Sequence, residues 1–378
     1  MNIFHIGTIA LEADNTKREL KSIGGISGYI IELINYAKAQ DHEISFVGKI
    51  YNYNSDSGIH YYQVQEKVSS TNKFLINLLF KSVNLKVPEN SVIHAHRPDH
   101  LAAFLFFNNR PSVVTLHGQQ ALTVNIRKSY LIRKIYHHLE KYALKKANRI
   151  IAVDPVTEKF YEKLYPRYKH KMVTIPTGVN TEIFFPNDNI KSKTELGYNE
   201  NNKLIIYVGR IEPPKKVKVI IEAFSHVLKE DSSFRLLLVG DGVSREEMER
   251  VSENLKVSKH VSFLGIRRRN ELPQLYNAAD VSILISGNEG SPLSVKESLA
   301  CGTPVVANDV GDINTLVENN YNGFIVNSED INEIAQKLIT AANKKSEFKQ
   351  NCINSIQPYT IPAVSKQVLN LYKEIVNE

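Results

Sequence analysis

The sequence of 378 residues has only two cysteines, Cys301 and Cys352, and no run of 18 apolar residues. Two cysteines cannot build a disulfide framework or a cysteine metal site. The lack of a long apolar run excludes a membrane-spanning helix. The N-terminus enters a strand-like segment at once, without the features of a signal peptide. We therefore expect a cytoplasmic protein.

Three binding motifs are also missing. No Gly-x-Gly-x-x-Gly follows the first strand-like segment, as a nicotinamide-dependent dehydrogenase would need. A phosphate-cradling Walker loop is absent too, and no Asp-x-Asp pair follows a strand. We expect no cofactor and no requirement for a divalent metal.

The charge is unevenly distributed. Residues 1–186 carry 24 Lys/Arg against 15 Asp/Glu, and residues 187–378 carry 23 against 25, so the first half is strongly basic. No recognised nucleic-acid-binding module accompanies this charge, and we expect no nucleic-acid partner. The length of 378 residues is typical of two domains, and a hydrophobic content of 42% is enough for each domain to have its own core.

Short apolar segments alternate with helical patterns along both halves, which predicts doubly wound α/β domains with parallel sheets. The polar segment 187–202 places the boundary after residue 186. The strand-like segments are 2–6, 44–47, 92–95, 113–116, 150–153 and 172–175 in the first half, and 203–208, 236–240, 261–264 and 281–285 in the second. A long loop is expected after the first of them, before a helix that Gly24 and Gly25 open.

The stretch from Glu289 to Ala307 is the most informative part of the sequence. Glu289 follows a buried strand, and Ser291 is predicted to cap a helix that starts at Pro292 and ends at Gly302. The helix amides favour a phosphate, and the carboxylates of Glu289 and Glu297 suit sugar hydroxyls. The alternative is that both glutamates are solvated surface charges.

Glu-x7-Glu followed by Ser-Leu-Ala-Cys-Gly-Thr-Pro-Val-Val resembles the signature of the retaining GT-B glycosyltransferases, glycosyltransferase family 4 (glycosyl transferases group 1). The resemblance implies two Rossmann-like domains that face each other across a cleft. Residues 1–186 would bind the acceptor and residues 187–362 a nucleotide sugar linked to UDP, GDP or ADP. The C-terminal helix, 363–378, would pack on the first domain.

The resemblance also implies roles for individual residues. Arg210 and Lys215, five apart on a loop after a strand, match the family's cations that neutralise the leaving diphosphate, although ordinary surface basicity is the alternative. His117 matches a histidine that contacts the transferred sugar, while His96 is a weaker candidate. We assign catalysis to Arg210, Lys215, His117 and Glu289, and donor binding to Gly24, Gly25, Gly209, Leu264, Ile266, Ser291, Pro292, Leu293, Ser294 and Glu297.

Two departures from the family pattern stand out. Lys216 replaces the glycine that usually follows the lysine, and Gly290-Ser291-Pro292-Leu293 stands where many members have Gly-Phe-Gly-Leu. Both changes bear on which sugar is bound. A metal site at His94, His96 and Asp99 is rejected, because three loosely spaced ligands without a further shell make a poor site.

Alternatives remain in the same fold: a sugar-nucleotide epimerase, a phosphorylase-like enzyme with pyridoxal phosphate, or an inactive relative that binds partners. The epimerase and the phosphorylase account less well for Glu-x7-Glu, and the combined presence of the five main site residues argues against the inactive relative.

The segment Arg127–Arg149 reads as a helix with eight Lys/Arg and a single acid, Glu140. One interpretation is that its apolar stripe, Leu131, Ile135, Leu139 and Tyr142, packs on the sheet and its charges are solvated. The other is peripheral contact with an anionic membrane that presents a lipid-linked acceptor. The predicted contacts are Lys128, Arg133, Lys134, Lys141 and Lys145.

Overall fold

A computed structural model describes residues 1–8, 11–14, 19–22, 25–49, 58–64, 71–119 and 129–377. The predicted site residue Gly24, and Lys128 of the basic helix, lie outside these ranges. The chain divides into two compact units. The first is Met1–Thr177 with Ile361–Glu378, and the second is Gly178–Thr360.

The first unit is built on a seven-stranded sheet in the order β5-β4-β1-β6-β7-β8-β9, with every pair parallel. Its strands are β1 (Asn2–Thr8), β4 (Glu43–Lys49), β5 (His60–Gln63), β6 (Ser91–Ala95), β7 (Ser112–Leu116), β8 (Arg149–Ala152) and β9 (Met172–Thr174). Its helices are α1 (Gly25–Ala39), α2 (Thr71–Asn84), α3 (Pro98–Leu105), α4 (Tyr130–Lys146) and α5 (Pro155–Leu164).

The strand order reverses between β1 and β6, since the chain first builds outward to β5 and then returns beside β1. Ligands of open α/β sheets bind at the carboxyl ends of the strands that flank such a reversal. His96 follows β6 at this place, so the weaker histidine candidate occupies a favoured position.

One prediction for the first unit is wrong. The segment before α1, expected to be a loop, contains the antiparallel strands β2 (Leu11–Asp14) and β3 (Glu19–Ser22). These strands pair with each other instead of joining the main sheet. The segment carries charged residues in place of an apolar run, and for this reason composition alone predicts a loop.

The second unit has a six-stranded sheet in the order β12-β11-β10-β13-β14-β15, again entirely parallel. Its strands are β10 (Lys203–Val208), β11 (Phe234–Val239), β12 (Val261–Gly265), β13 (Val281–Leu284), β14 (Val305–Asn308) and β15 (Gly323–Val326). Its helices are α6 (Asn189–Glu195), α7 (Val217–Glu230), α8 (Arg245–Asn254), α9 (Leu272–Ala278), α10 (Leu293–Ala300), α11 (Ile313–Leu316), α12 (Ile331–Asn343) and α13 (Lys345–Ser355).

Here the strand order reverses between β10 and β13. The loops that leave these two strands carry Arg210 and Lys215 on one side and Glu289 on the other. The predicted doubly wound architecture is confirmed in both units.

The boundary between the units lies between Thr177 and Gly178, ahead of the predicted one after residue 186. Val179 and Phe184 are buried in the core of the second unit, and Val179 forms a β-bridge with Thr360. These contacts assign the segment to the second unit before its polar stretch begins.

The C-terminal helix α14 (Ile361–Asn377) belongs to the first unit, as predicted. Val364, Val368 and Tyr372 are buried in one core cluster with Tyr29 and Ile30 of α1. Among the described residues, no helix is long and apolar enough to cross a membrane.

Candidate active site

An ion pair joins the two loops at the strand reversal of the second unit. Lys215 ends a short 3-10 turn, Pro213–Lys215, and its Nζ donates to Oε1 of Glu289 over 2.5 Å. Both side chains are largely buried. The structure therefore brings together two predicted residues from loops that are 74 positions apart.

Arg210 lies on the same loop as Lys215 but is much more exposed. Its side chain is 68% exposed, and its Nη1 pairs with Oε2 of Glu212 at 2.7 Å. Gly209 precedes it, and a Cβ at Gly209 would lie 2.7 Å from the hydroxyl of Tyr207. That hydroxyl donates to the carbonyl of Arg210, so the glycine allows the turn to close over Tyr207.

Lys216 adopts the left-handed conformation that favours glycine, with φ 42° and ψ 35°. Lys216 therefore has the backbone conformation that the family's glycine would adopt, and for a lysine this conformation is strained. The side chain of Lys216 pairs with Glu329 at 2.6 Å. Lys215 still reaches Glu289 although lysine replaces glycine at position 216.

The predicted cap of the following helix is wrong in detail. α10 begins at Leu293, and Pro292 is the N-cap residue, without a side-chain capping bond. Ser291 instead donates its hydroxyl to Oδ2 of Asp312 over 2.6 Å. The first-turn amides of Leu293 and Ser294 belong to the part of a helix that has no intrahelical acceptor.

A buried cluster beneath this loop was not foreseen from the sequence. Lys296 is fully buried, lies 3.0 Å from Asp312 and donates to the hydroxyl of Ser291. Gly311 has φ 60°, and a Cβ there would lie 1.9 Å from the carbonyl oxygen of Gly290. Lys296, Asp312 and Gly311 thus pack against the 290–292 loop, although none of them belongs to a recognisable sequence motif.

Glu297 is placed differently from Glu289. It is 6% exposed, accepts a hydrogen bond from the hydroxyl of Tyr276 over 3.4 Å, and lies 3.8 Å from Nε of Arg269. Burial raises the pKa of Glu297 from its ordinary 4.5 to about 7, and Arg269 and Tyr276 oppose that rise. The alternative that both glutamates are solvated surface charges is wrong.

Leu264 and Ile266 flank Gly265, whose carbonyl accepts from the amide of Gly240 over 2.8 Å. Gly265 has φ 69°, which turns the chain at the end of β12. Leu264 is half-buried and Ile266 is 76% exposed. Both lie at the carboxyl end of β12, an edge strand of the second sheet.

In the first unit, His117 follows β7 and is partly buried. Its Nε2 lies 3.4 Å from Nδ1 of His96, and the ring of Tyr29 meets it edge-on at 5.7 Å. Burial lowers the pKa of His117 to about 4, so the ring is neutral. Gly25 is the first residue of α1, and its neighbour Gly24 lies outside the described residues.

The side chains that lie close enough to hold a metal ion are not the three considered from the sequence. His5, His94 and His96 can each offer one ring nitrogen within 4.8 Å of the others. Asp99 instead accepts two hydrogen bonds from Arg97, at 2.9 and 2.7 Å. His94 has its two nitrogens paired with Thr115 and Tyr372, so a cation there would have to displace one of them.

Solved structures share this fold along nearly the whole chain. Sucrose-phosphate synthase from Thermosynechococcus elongatus superposes with a TM-score of 0.80 at 20% identity, over 99% of this chain and 98% of that one. Anabaena HepE, solved in complex with UDP-glucose, superposes with a TM-score of 0.75 at 18% identity, over 99% and 100%. The two parallel-sheet units therefore have the GT-B fold.

Sequence comparison gives the family. Residues 23–183 match Glycosyltransferase Family 4, and residues 188–357 match Glycosyl transferases group 1. A UDP-Gal:alpha-D-GlcNAc-diphosphoundecaprenol alpha-1,3-galactosyltransferase from Escherichia coli is 30% identical over 278 residues, 70% of each chain. The chain belongs to this family of glycosyltransferases, as its motifs predicted, and its donor is a nucleotide sugar.

Proposed function

We propose that the protein transfers a hexose or N-acetylhexosamine from a UDP-sugar to a hydroxyl of a lipid-linked acceptor, with retention of configuration. The placement of Lys215 and Glu289 at the strand reversal of the second unit carries the proposal. It puts one cation for a diphosphate beside one carboxylate for sugar hydroxyls. UDP is favoured because HepE was solved with UDP-glucose and the Escherichia coli relative uses UDP-Gal.

In this proposal each group has one task. Arg210 and Lys215 stabilise the negative charge that develops on the leaving diphosphate, together with the amides at the start of α10. Glu289 accepts from hydroxyls of the sugar, and Glu297 holds the ribose. By resemblance to the family, His117 contacts the transferred sugar.

The reaction then needs no protein nucleophile. The acceptor oxygen forms a bond to the anomeric carbon as the bond to the β-phosphate oxygen breaks, on the same face of the sugar. The departing phosphate oxygen takes the acceptor proton. The protein contributes positioning and charge stabilisation.

The test is product analysis after incubation with UDP-, GDP- and ADP-sugars and a native lipid extract. We expect release of UDP and a new glycolipid by mass spectrometry. Lys215→Ala should abolish most of this release, while Lys349→Ala, at an exposed lysine of the same unit, should not. Release of GDP or ADP alone would refute the choice of nucleotide.

The exposed side of α4 favours an acceptor at a membrane surface. Tyr130, Leu131 and Ile135 are 73%, 66% and 53% exposed. The buried residues of α4 are Tyr136, Glu140, Ala143 and Leu144. The predicted stripe of Leu131, Ile135, Leu139 and Tyr142 therefore packs on the core only in part. Leu139 and Tyr142 are partly buried against it, whereas Leu131 and Ile135 stay exposed.

Glu140 lies on the buried face of α4. Its carboxylate accepts from the hydroxyls of Tyr161 and Tyr165, at 3.0 and 2.7 Å, so the single acid of the helix points inward. Lys134, Lys141 and Lys145 are exposed, whereas Arg133 is half-buried. Phe106, 52% exposed, stacks on Tyr142 and extends the apolar surface.

We propose that this side of α4 contacts anionic lipid, because each Lys/Arg at such a surface contributes on the order of 1 kcal/mol. The test is co-sedimentation with vesicles of phosphatidylglycerol and of phosphatidylcholine, at low and high salt. We expect salt-sensitive binding to the anionic vesicles only, lost when four cations are reversed: Arg133, Lys134, Lys141 and Lys145.

The matched control reverses four exposed cations of the second unit, namely Lys229, Arg250, Lys259 and Lys349. Equal recovery of the two variants would show that net charge alone drives binding. Recovery that is the same with both kinds of vesicle would favour a soluble acceptor.

A further inference from the structure

Three histidine rings of the first unit form a continuous chain that ends at His117. Nδ1 of His5, on β1, lies 3.3 Å from Nε2 of His96, and Nδ1 of His96 lies 3.4 Å from Nε2 of His117. The rings of His5 and His96 are stacked with an interplanar angle of 12°. We call His5, His96 and His117 the histidine chain.

Two neighbouring rings lie beside the histidine chain without joining it. His94 lies beside it, but its Nε2 is 2.7 Å from the hydroxyl of Thr115 and its Nδ1 pairs with Tyr372 of the C-terminal helix. The ring of Tyr29 meets His96 edge-on at 6.2 Å. His117 therefore receives its nitrogen contact from His96 and not from His94.

All three rings are neutral because burial lowers the pKa of each well below its ordinary value. A neutral imidazole has one N–H and one lone pair, so each contact in the chain sets the tautomer of the next ring. The whole chain then has only two arrangements, which run in opposite directions.

The far end of the chain decides between these arrangements. Nε2 of His5 is buried, and among the described residues it has no hydrogen-bond partner. Buried N–H groups without an acceptor are rarer than acceptors without a donor. The favoured arrangement therefore leaves the lone pair on that nitrogen, and His5 donates from Nδ1 to His96.

The direction then propagates to the other end. His96 accepts at Nε2 and donates from Nδ1 to Nε2 of His117. The proton of His117 is consequently on Nδ1, the nitrogen that the chain does not use.

We propose that His5 and His96 are positioning residues that hold His117 in the Nδ1–H tautomer, so that it donates a hydrogen bond to an oxygen of the transferred sugar. This inference rests on the proposed function for the contact between His117 and the sugar. It gives a role to His5, a buried polar residue between the buried Phe4 and Ile6 of β1.

The direct test is the nitrogen spectrum of the full-length protein labelled with 15N-histidine. Long-range proton–nitrogen correlations distinguish protonated from unprotonated ring nitrogens, and the variant His117→Gln assigns the signals of His117. We expect a protonated Nδ1 and an unprotonated Nε2 at His117. The opposite tautomer, or an exchanging mixture, would overturn the inference.

Two variants at His96 test the connection. Asparagine places its amide near the position of Nδ1, so His96→Asn should still donate to His117 and keep its tautomer. Glutamine places its amide near Nε2, so His96→Gln should release His117 and reduce kcat/KM about tenfold, as expected for one lost hydrogen bond. Equal tautomer populations in both variants would overturn the proposal.

His5 offers the same comparison at the end of the chain. His5→Asn retains a donor toward His96 and should preserve the tautomer of His117, whereas His5→Phe removes it and should give a mixture. The control is His100→Phe, which replaces a buried histidine that contacts Phe74 and lies outside the chain. It should leave the signals of His117 unchanged.

These measurements separate this inference from the proposed function. Unchanged transfer by His117→Ala would refute the role of His117 toward the sugar, whatever its tautomer. An unchanged tautomer in both His96→Gln and His5→Phe would refute the positioning role, even if His117 proved essential for transfer.

Discussion

Glu297→Gln is expected to stabilise the protein above neutral pH while it weakens donor binding. The carboxyl group of Glu297 is buried, and its pKa is raised from its ordinary 4.5 to about 7. Between these values the folded protein holds a proton that the unfolded chain has released. The free energy of unfolding therefore falls as pH rises from about 4.5 to about 7.

The magnitude follows from the size of the pKa shift. Each pKa unit corresponds to about 1.4 kcal/mol, so the ionised Glu297 costs roughly 3 kcal/mol above pH 7. Glutamine has a similar shape and does not ionise. The free energy of unfolding of the variant relative to the wild type should therefore rise by roughly 3 kcal/mol between about pH 4.5 and pH 7. For the second unit, this corresponds to a difference of roughly 6 to 12 °C in the midpoint of thermal unfolding.

The assay is differential scanning calorimetry from pH 5 to pH 8, following the transition of the second unit. Glu347→Gln, which neutralises an exposed glutamate on α13, controls for the loss of one charge. A stability difference that stays constant from pH 5 to pH 8 would refute the reasoning, because Glu297 would then not titrate in that range.

Donor binding should change in the opposite direction. The dissociation constant of a UDP-sugar should fall as pH rises from 6 to 8 in the wild type, because only the ionised carboxylate accepts fully from the ribose hydroxyls. Isothermal titration should show weaker binding by Glu297→Gln, by about tenfold or more, and no such pH dependence.

Three further results are expected. Arg210→Ala and Lys215→Ala should each lower turnover by about 10² or more, measured as kcat with saturating donor, and near-normal turnover in both would contradict their assignment. Transfer should persist in EDTA, and activity that returned only with magnesium or manganese would contradict a metal-independent mechanism. Lys216→Gly should be more stable than Lys216→Ala by about 1 kcal/mol in calorimetry, because only glycine adopts φ 42° without strain; equal midpoints would show that the turn is unstrained.

Much of the fold was predictable because its strands are short, buried apolar runs. Segments such as 203–208 are covered on both faces by helices and need no alternation of polar residues. The loops after β10 and β13 were also predictable, since Arg210, Lys215 and Glu289 are local features of a recognisable motif. The structure adds that Lys215 and Glu289 form a direct pair.

The surroundings of the site could not be predicted in the same way. Arg269 stands among three consecutive arginines, which suggests solvent, yet it lies beside the buried Glu297. Lys296 and Asp312 come from a helix and a distant turn, and only the packing of the sheet brings them to Ser291. Contacts of this kind depend on tertiary structure and leave no local pattern.

The contacts within the histidine chain could not be predicted from the sequence either. The register of β1 and β6 places His5 beside His94, a pairing that requires the strand order of the sheet. From the sequence, His96 looked like a weaker alternative to His117. In the structure the rings of His96 and His117 are in contact, so the two residues belong to the same histidine chain and are not alternatives.

The pair formed by Lys215 and Glu289 has a consequence for the order of events in turnover. In the proposed mechanism, a diphosphate at Lys215 would compete with Glu289 for the ammonium group, and a donor with its sugar attached would offer hydroxyls to the released carboxylate. The spent nucleotide lacks that sugar, so it leaves Glu289 without a partner. Glu289 would then return to Lys215 and promote departure of the nucleotide. We therefore expect the nucleoside diphosphate product to bind more weakly than the nucleotide sugar, although both carry the same diphosphate.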